Sequence, residues 1–286
     1  ANESLTKHGR EMVFCGMCGQ QYEGKFCKDC GVAESGNVAA GFQRAILQGE
    51  CTECFQRLCT EETGALCKGP QRVCGHYFHV RCAMSRLGGG EKKCRVCEAP
   101  FDSVQKFPNL QTNPVEWFNF VDVDKNNRLT HQEVLEALRA ACSVDPVVLM
   151  ERMPGMMRKW DTNKDQSLCV EEFVSPEGLL DYVLANIPAA PAQAAPPELT
   201  PQTKDRWFHF WDIDNSNTLE KEEVVRAFIK TFNLSDDNAS VQQMREAMSA
   251  VWVCFDHDGD GTVSFQEFCK TGEGLGDTIL AMRQSR

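Results

Sequence analysis

Between Asp256 and Glu267 the chain reads DHDGDGTVSFQE, and this stretch restricts its possible folds most. Asp256, Asp258 and Asp260 occupy the first, third and fifth places of a twelve-residue loop, Gly261 the sixth, Thr262 the seventh and Glu267 the last. Short carboxylates on alternate residues converge on one point only if the backbone turns sharply after them, and Gly261 supplies that turn. The backbone carbonyl of the seventh residue and the longer Glu267, which offers two oxygens, then close the shell from the other side. A hard cation of Ca²⁺ size takes about 6–8 oxygens at roughly 2.3–2.6 Å, which is what this spacing provides. Val263, in the eighth place, is apolar, as expected where two such loops touch through a short ribbon.

The pattern is that of the EF-hand and resembles the calmodulin and troponin C family. Three further copies lie upstream. The first has Asp122, Asp124, Asn126, Arg128, Thr130 and Glu133 in places 1, 3, 5, 7, 9 and 12. The second has Asp161, Asn163, Asp165, Ser167 and Glu172, and the third Asp212, Asp214, Ser216, Thr218, Glu220 and Glu223. Their departures from the EF-hand pattern fall on the sixth place, where Asn127, Gln166 and Asn217 replace glycine. Asparagine tolerates the left-handed backbone, whereas glutamine adopts it at a cost of about 1 kcal/mol or more, so the loop around Gln166 is expected to hold calcium least well. Two to four calcium ions are expected in all.

The copies are organised as a repeated pair. Trp117, Phe118, Phe120, Asp122 and Glu133 return ninety residues later as Trp207, Phe208, Phe210, Asp212 and Glu223. One helix–loop–helix cannot bury its own apolar face, so two close a core together. This predicts one lobe over 113–187 and another over 201–286. Met150, Met153, Met156, Met157, Met244 and Met248 are expected mostly in the lobe cores, the alternative being a groove that accepts a partner helix. Residues 188–200, rich in Pro and Ala without apolar periodicity, are expected to form an extended, semi-rigid spacer that lets the lobes move independently or straps both to one partner.

Twelve of the sixteen cysteines lie before residue 98, many in C-x-x-C pairs. Outside an oxidising compartment that usage reads as zinc, and disulfides are the alternative. Residues 12–33 carry two such knuckles, Cys15/Cys18 and Cys27/Cys30, each followed by glycine, and four thiolates close one tetrahedral site. This is similar to the short zinc ribbon of many unrelated proteins. Residues 34–50 are expected to hold a spacer helix, capped by Asn37 and ended by Gly49, that lies on the next module.

Over residues 51–101 the ligand types run Cys51/Cys54, Cys74/His76, His79/Cys82 and Cys94/Cys97, around CGHYFHVRC. This resembles the RING-H2 finger. In that family alternate pairs share a metal, which implies one zinc at Cys51, Cys54, His79 and Cys82 and another at Cys74, His76, Cys94 and Cys97. A PHD-like finger with Cys67 in place of His76 is the alternative. RING fingers usually serve ubiquitin ligases by docking a ubiquitin-conjugating enzyme. At the positions matching that docking surface stand Glu53, Arg86, Arg95 and Glu98, where the family has apolar residues, Trp, Pro and often a cation. The resemblance therefore implies a kept zinc scaffold with an altered contact face.

The expectation is a mainly α protein: four EF-hands in two lobes, preceded by a zinc ribbon and a RING-like cross-brace, with three zinc ions. The acidic excess behind the net charge of −11 resides beyond residue 107, where 16 Lys/Arg face 29 Asp/Glu, which disfavours nucleic acid as a partner there. No apolar run approaches the roughly 18 residues that span a bilayer. Ala1–Arg10 is polar and lacks an apolar secretory core, and a targeting segment removed ahead of it is compatible with that. A calcium-responsive adaptor docking protein partners or a larger assembly in a reducing interior (cytoplasm, nucleus or cytoskeleton) is the leading reading. A calcium-regulated RING-type ubiquitin ligase and a purely structural, metal-stabilised subunit are the alternatives.

Overall fold

The computed structural model describes residues 13–14, 21–22, 39–174, 179–192 and 195–284. Val13–Phe14 (β1) pairs antiparallel with Gln21–Tyr22 (β2). The expected ribbon ligands Cys15, Cys18, Cys27 and Cys30, and the capping Asn37, lie outside the described residues. Helix α1, Ala40–Leu47, starts from Ala39 without a side-chain cap, and its chain turns away at Gly49, whose φ is 65°.

The finger follows. A short 3-10 turn, Leu58–Thr60, precedes β3 (Thr63–Lys68), β4 (Gln71–His79), α2 (Val80–Gly88) and β5 (Ser103–Lys106). These strands form an antiparallel sheet in the order β4-β3-β5.

The first helical lobe contains α3 (Pro114–Val121), β6 (Leu129–Thr130), α4 (His131–Ala141), α5 (Pro146–Trp160), β7 (Ser167–Leu168), α6 (Val170–Phe173) and α7 (Leu179–Asn186). The second contains α8 (Lys204–Trp211), β8 (Thr218–Glu220), α9 (Lys221–Thr231), α10 (Asn238–Val251), β9 (Thr262–Ser264), α11 (Phe265–Cys269) and α12 (Leu275–Gln284). The loops of each lobe meet at their eighth residues, Leu129 opposite Leu168 and Leu219 opposite Val263. The repeat extends into the cores: Trp117 stacks on Phe173 at 5.1 Å and Trp207 on Phe268 at 5.3 Å. Helices make up about 48% of the described residues, with small sheets beside them.

The packing between modules departs from beads on a string. One core joins the finger to the first lobe: Leu66, Tyr77, Phe78 and Phe101 are buried with Trp117, Phe120 and Leu138. A second core joins α1 and the first knuckle to the second lobe, Phe42, Ala45 and Phe55 lying with Trp207, Trp211 and Phe228. Close backbone approach makes this possible. A Cβ on Gly41 would stand 2.8 Å from the carbonyl carbon of Glu222, and one on Gly49 2.8 Å from the Arg139 oxygen. Helix α1 thus lies against α9, a neighbour that its own sequence did not indicate.

The linker also differs from a free spacer. It is extended as expected, but Ala189 bridges Val144, the Asp145 N–H donates to the Pro188 carbonyl at 2.8 Å, Arg57 of the finger donates to the Pro191 carbonyl, and Leu199 is buried in the second lobe. Four of the six methionines expected in the lobe cores, Met153, Met156, Met157 and Met248, are buried. Of the cysteines beyond the finger, Cys142 is buried and Cys254 is exposed. No helix among the described residues is long and apolar enough to cross a membrane.

Candidate metal centres

All four loops use one backbone course. The sixth residues have left-handed φ whatever their side chain: 61° at Asn127, 68° at Gln166, 62° at Asn217 and 94° at Gly261. So do the fourth, Lys125, Lys164, Asn215 and Gly259, a second turn whose signal in the sequence is Gly259 and Asn215. The first aspartate of each loop then accepts the N–H of the sixth residue: Asp122 from Asn127 at 2.8 Å, Asp161 from Gln166 at 2.9 Å, Asp212 from Asn217 at 3.0 Å and Asp256 from Gly261 at 3.0 Å.

The closing glutamates also share one geometry. Glu133, Glu172, Glu223 and Glu267 each accept backbone N–H groups from the second and ninth loop residues at 2.7–3.0 Å. Each thereby caps its exit helix, so the clamp and the helix start are one structure.

The acidic groups gather unevenly. Ligand atoms of Asp122, Asp124 and Glu133, of Asp212, Asp214 and Glu223, and of Asp256, Asp258 and Glu267 lie within 4.8 Å of one another. The second loop assembles no such acidic triad among the described residues, because Asn163 stands in its third place. Its Asp165 is instead ion-paired with Arg128 of the first loop, which also donates to the Ser167 hydroxyl at 3.2 Å. Asn126 donates its amide to Asp124 at 2.8 Å, the hydroxyls of Ser216 and Thr218 lie 3.1 Å apart, and Asp260 accepts the Thr262 hydroxyl at 2.8 Å. The Thr130 hydroxyl donates to Glu133. In the fourth loop Asp256 Oδ1 is buried without a hydrogen-bond partner, the kind of orphaned acceptor that a bound cation satisfies.

Burial pushes Glu223 up to about 7, against the N–H groups of Ile213 and Glu220. At Glu267 burial, which raises the carboxyl, is outweighed by the Ser264 N–H and hydroxyl, and the group is held below its ordinary value. A calcium ligand must be deprotonated, so below about pH 7 a proton must leave Glu223 before it binds. Calcium affinity at the third loop should fall about tenfold for each pH unit below that point while the fourth loop holds its affinity. Calorimetric titration from about pH 7.5 to about pH 5.5 reads the loss, which Glu223→Gln should abolish; a pH dependence surviving that change would refute the assignment.

The finger brings its ligand types into two groups through strand geometry. Cys74 and His76 are alternate residues of β4 and share a face, whereas His79, an odd number of residues on, faces the other way. Cys82, three residues later on the first turn of α2, joins His79. The result is one cluster of Cys51, Cys54, His79 and Cys82 and another of Cys74, His76, Cys94 and Cys97, each with ligand atoms within 4.8 Å. Cys67 is in neither; it is buried on β3 with its thiol toward the Ala65 carbonyl at 3.8 Å.

The two knuckles are built alike, Phe55 and Glu98 each taking a left-handed φ, 57° and 59°, directly after the second cysteine. The thiols and imidazoles of these clusters shift one another's protonation. Burial lowers His76, but hydrogen bonds to Cys94 and Cys97 more than reverse it, to about 10; burial likewise lowers His79, and Cys51 and Cys54 raise it to about 11. Hydrogen bonds from Cys74 and Cys94 hold Cys97 far below the usual thiol range. Three sulfurs and an imidazole this close suit a thiophilic cation, which replaces the shared protons; the set fits tetrahedral zinc.

Residues 203–271 match the model of the EF-hand domain pair. The second lobe carries an EF-hand pair. No curated protein matches the chain. Among solved structures it is similar to caltubin from the great pond snail (20% identity, 57% of this chain and 95% of that one, TM-score 0.20). It is also similar to a homolog of programmed cell death 6 protein from Leishmania major Friedlin (19% identity, 62% and 79%, TM-score 0.20). A redox protein from Chlamydomonas reinhardtii is a third (19% identity, 62% and 50%, TM-score 0.20). At these scores the likenesses carry no argument about the fold.

The EF-hand pair also covers the finger. Glu53, 7% exposed, receives both oxygens' worth of hydrogen bonds from Arg95 Nε, at 3.0 and 2.9 Å, and lies 3.5 Å from Arg86. Arg245 of α10 donates to the Thr52 and Glu53 carbonyls at 2.9 and 3.1 Å and lies over the Phe55 ring. Three of the four positions that depart from the docking pattern are therefore an internal ion cluster beneath the second lobe. Glu98 is exposed and only loosely paired with Lys93, at 3.6 Å.

Proposed function

We propose that the chain is a calcium- and zinc-binding adaptor or regulatory subunit that docks onto protein partners within a larger assembly. The first, third and fourth loops hold calcium through the carboxylates named above. The two Cys3His clusters hold zinc, and the ribbon cysteines hold a third zinc. The second loop is held by Arg128 in place of a strong metal site. A reducing compartment keeps the thiolates available.

One observation carries the choice of adaptor over ubiquitin ligase: the surface by which a RING finger grips a conjugating enzyme is here occupied by Glu53, Arg86 and Arg95 and covered by Arg245. A RING ligase contributes no side-chain chemistry of its own and acts only through that surface. With the purified, metal-loaded chain, a minimal ubiquitination assay across a panel of conjugating enzymes should yield no product. Autoubiquitination that disappears in His79→Ala would establish the ligase reading instead.

A further inference from the structure

The histidines of the two clusters enter in the same way. His79 points Nδ1 at Cys54 Sγ, 3.3 Å away, and His76 points Nδ1 at Cys94 Sγ, 3.6 Å away. A metal-bound histidine almost always has its second ring nitrogen held by a carboxylate, a carbonyl or a water, and loss of that partner costs about 10–100-fold in metal affinity. For His79 the partner is the Arg57 carbonyl, 3.0 Å from Nε2.

For His76 the candidate comes from outside the finger. Glu136, on α4 of the first lobe, lines a cavity of about 30 Å³ together with Gly75, His76 and Tyr77. That volume admits a water molecule. The lack of a side chain at Gly75 opens the way, since a Cβ there would stand 3.3 Å from Glu136 Oε2. Gln132 donates to Glu136 Oε1 and orients the group, leaving Oε2 toward the finger.

We infer that Glu136 is the outer partner of His76, directly or through one water, and so makes the exit helix of the first loop part of the second finger centre. The inference rests on the reading that the Cys3His clusters hold zinc. It carries a coupling with it. Glu133, the clamp of the first loop, precedes Glu136 by three residues on the same helix face, so a cation that seats Glu133 also holds Glu136 on His76. At the matching point of the repeat the helix also meets the finger, though not at a histidine. Ninety residues on from Glu136 stands Arg226, three residues after the clamp Glu223, and it pairs at 2.9 Å with Glu50, the neighbour of Cys51.

The test uses the full chain, its zinc first counted by metal analysis and then released to a zinc-selective chelator. Glu136→Gln keeps the shape of the side chain and removes its charge. It should release one finger zinc about tenfold or more faster and leave the other, whose histidine is held by Arg57, at the wild-type rate. Calcium should slow that phase in the wild type and not in the variant, and in the cobalt-substituted chain the ligand-field bands of one centre alone should shift. Should Glu136→Gln fail to fold, Gln132→Ala, which only frees the carboxylate to turn, should accelerate the same phase. Equal release from folded variant and wild type overturns the assignment and leaves the zinc reading standing, whereas a wild-type finger without zinc overturns both.

Discussion

Stripping zinc from the chain while calcium is kept in excess should melt more than the finger. Structural zinc in a small finger contributes roughly 10–16 kcal/mol at neutral pH, as much as the entire stability of an ordinary domain at about 5–15 kcal/mol. The finger has no core of its own to fall back on, since its buried Leu66, Tyr77 and Phe78 belong to the first lobe's core and its Phe55 to the second's. Losing it uncovers Phe120 and Trp211. The calcium-loaded lobes should then melt lower by an amount on the order of 10 °C, with tryptophan emission shifting to the red. If the lobes melt at the same temperature with and without zinc, the finger is an independent module and the shared cores do not contribute as argued.

Glu50→Ala should be the most damaging single change outside the metal ligands. Glu50, 2% exposed, accepts Arg226 at 2.9 and 3.1 Å and Lys230 at 2.9 Å. Its removal takes the shared carboxylate from Arg226 and the half-buried Lys230, one turn apart on α9, and breaking a buried pair from one side costs about 3–5 kcal/mol. Burial already holds Lys230 below its ordinary pKa, with Glu50 pulling it back. Denaturant unfolding at fixed zinc and calcium measures the loss. Much of it should return when Arg226 and Lys230 are changed to Met in the same chain, because no unpaired charge then remains. A loss below about 1 kcal/mol would mean that water reaches this cluster and screens it.

Helix ends show where local signals compete. Asp145-Pro146 does open α5, with Asp145 accepting the Val147 and Val148 N–H groups. In the second lobe Thr200-Pro201 and Ser240 are the same kinds of capping residue, yet α8 begins at Lys204 and α10 at Asn238, capped by Asp237. Thr200 is used differently: its hydroxyl lies 2.9 Å from that of Thr203, closing the turn ahead of α8.

The amino-acid sequence alone determined whatever depends on neighbours along the chain. Twelve-residue loop spacing decides which carboxylates converge, the C-x-x-C knuckle decides which thiols do, and the alternation along Cys74, His76 and His79 sends them to two different clusters. It also determined the repeat, down to the matching stacks of Trp117 on Phe173 and Trp207 on Phe268. Only the tertiary structure decided what the charged residues of the finger are for. Glu53, Arg86 and Arg95 read as an altered docking face, but Glu53 draws both arginines into one cluster, and its backbone carbonyl is held by Arg245, 192 residues away in the second lobe. Likewise Arg128, read as a loop residue contributing its carbonyl, spends its side chain on Asp165, and Glu136 reads as an ordinary exit-helix carboxylate until the cavity beside His76 is seen. A charge's partner is chosen by whichever surface excludes water around it, and that surface is assembled from segments the linear pattern does not relate.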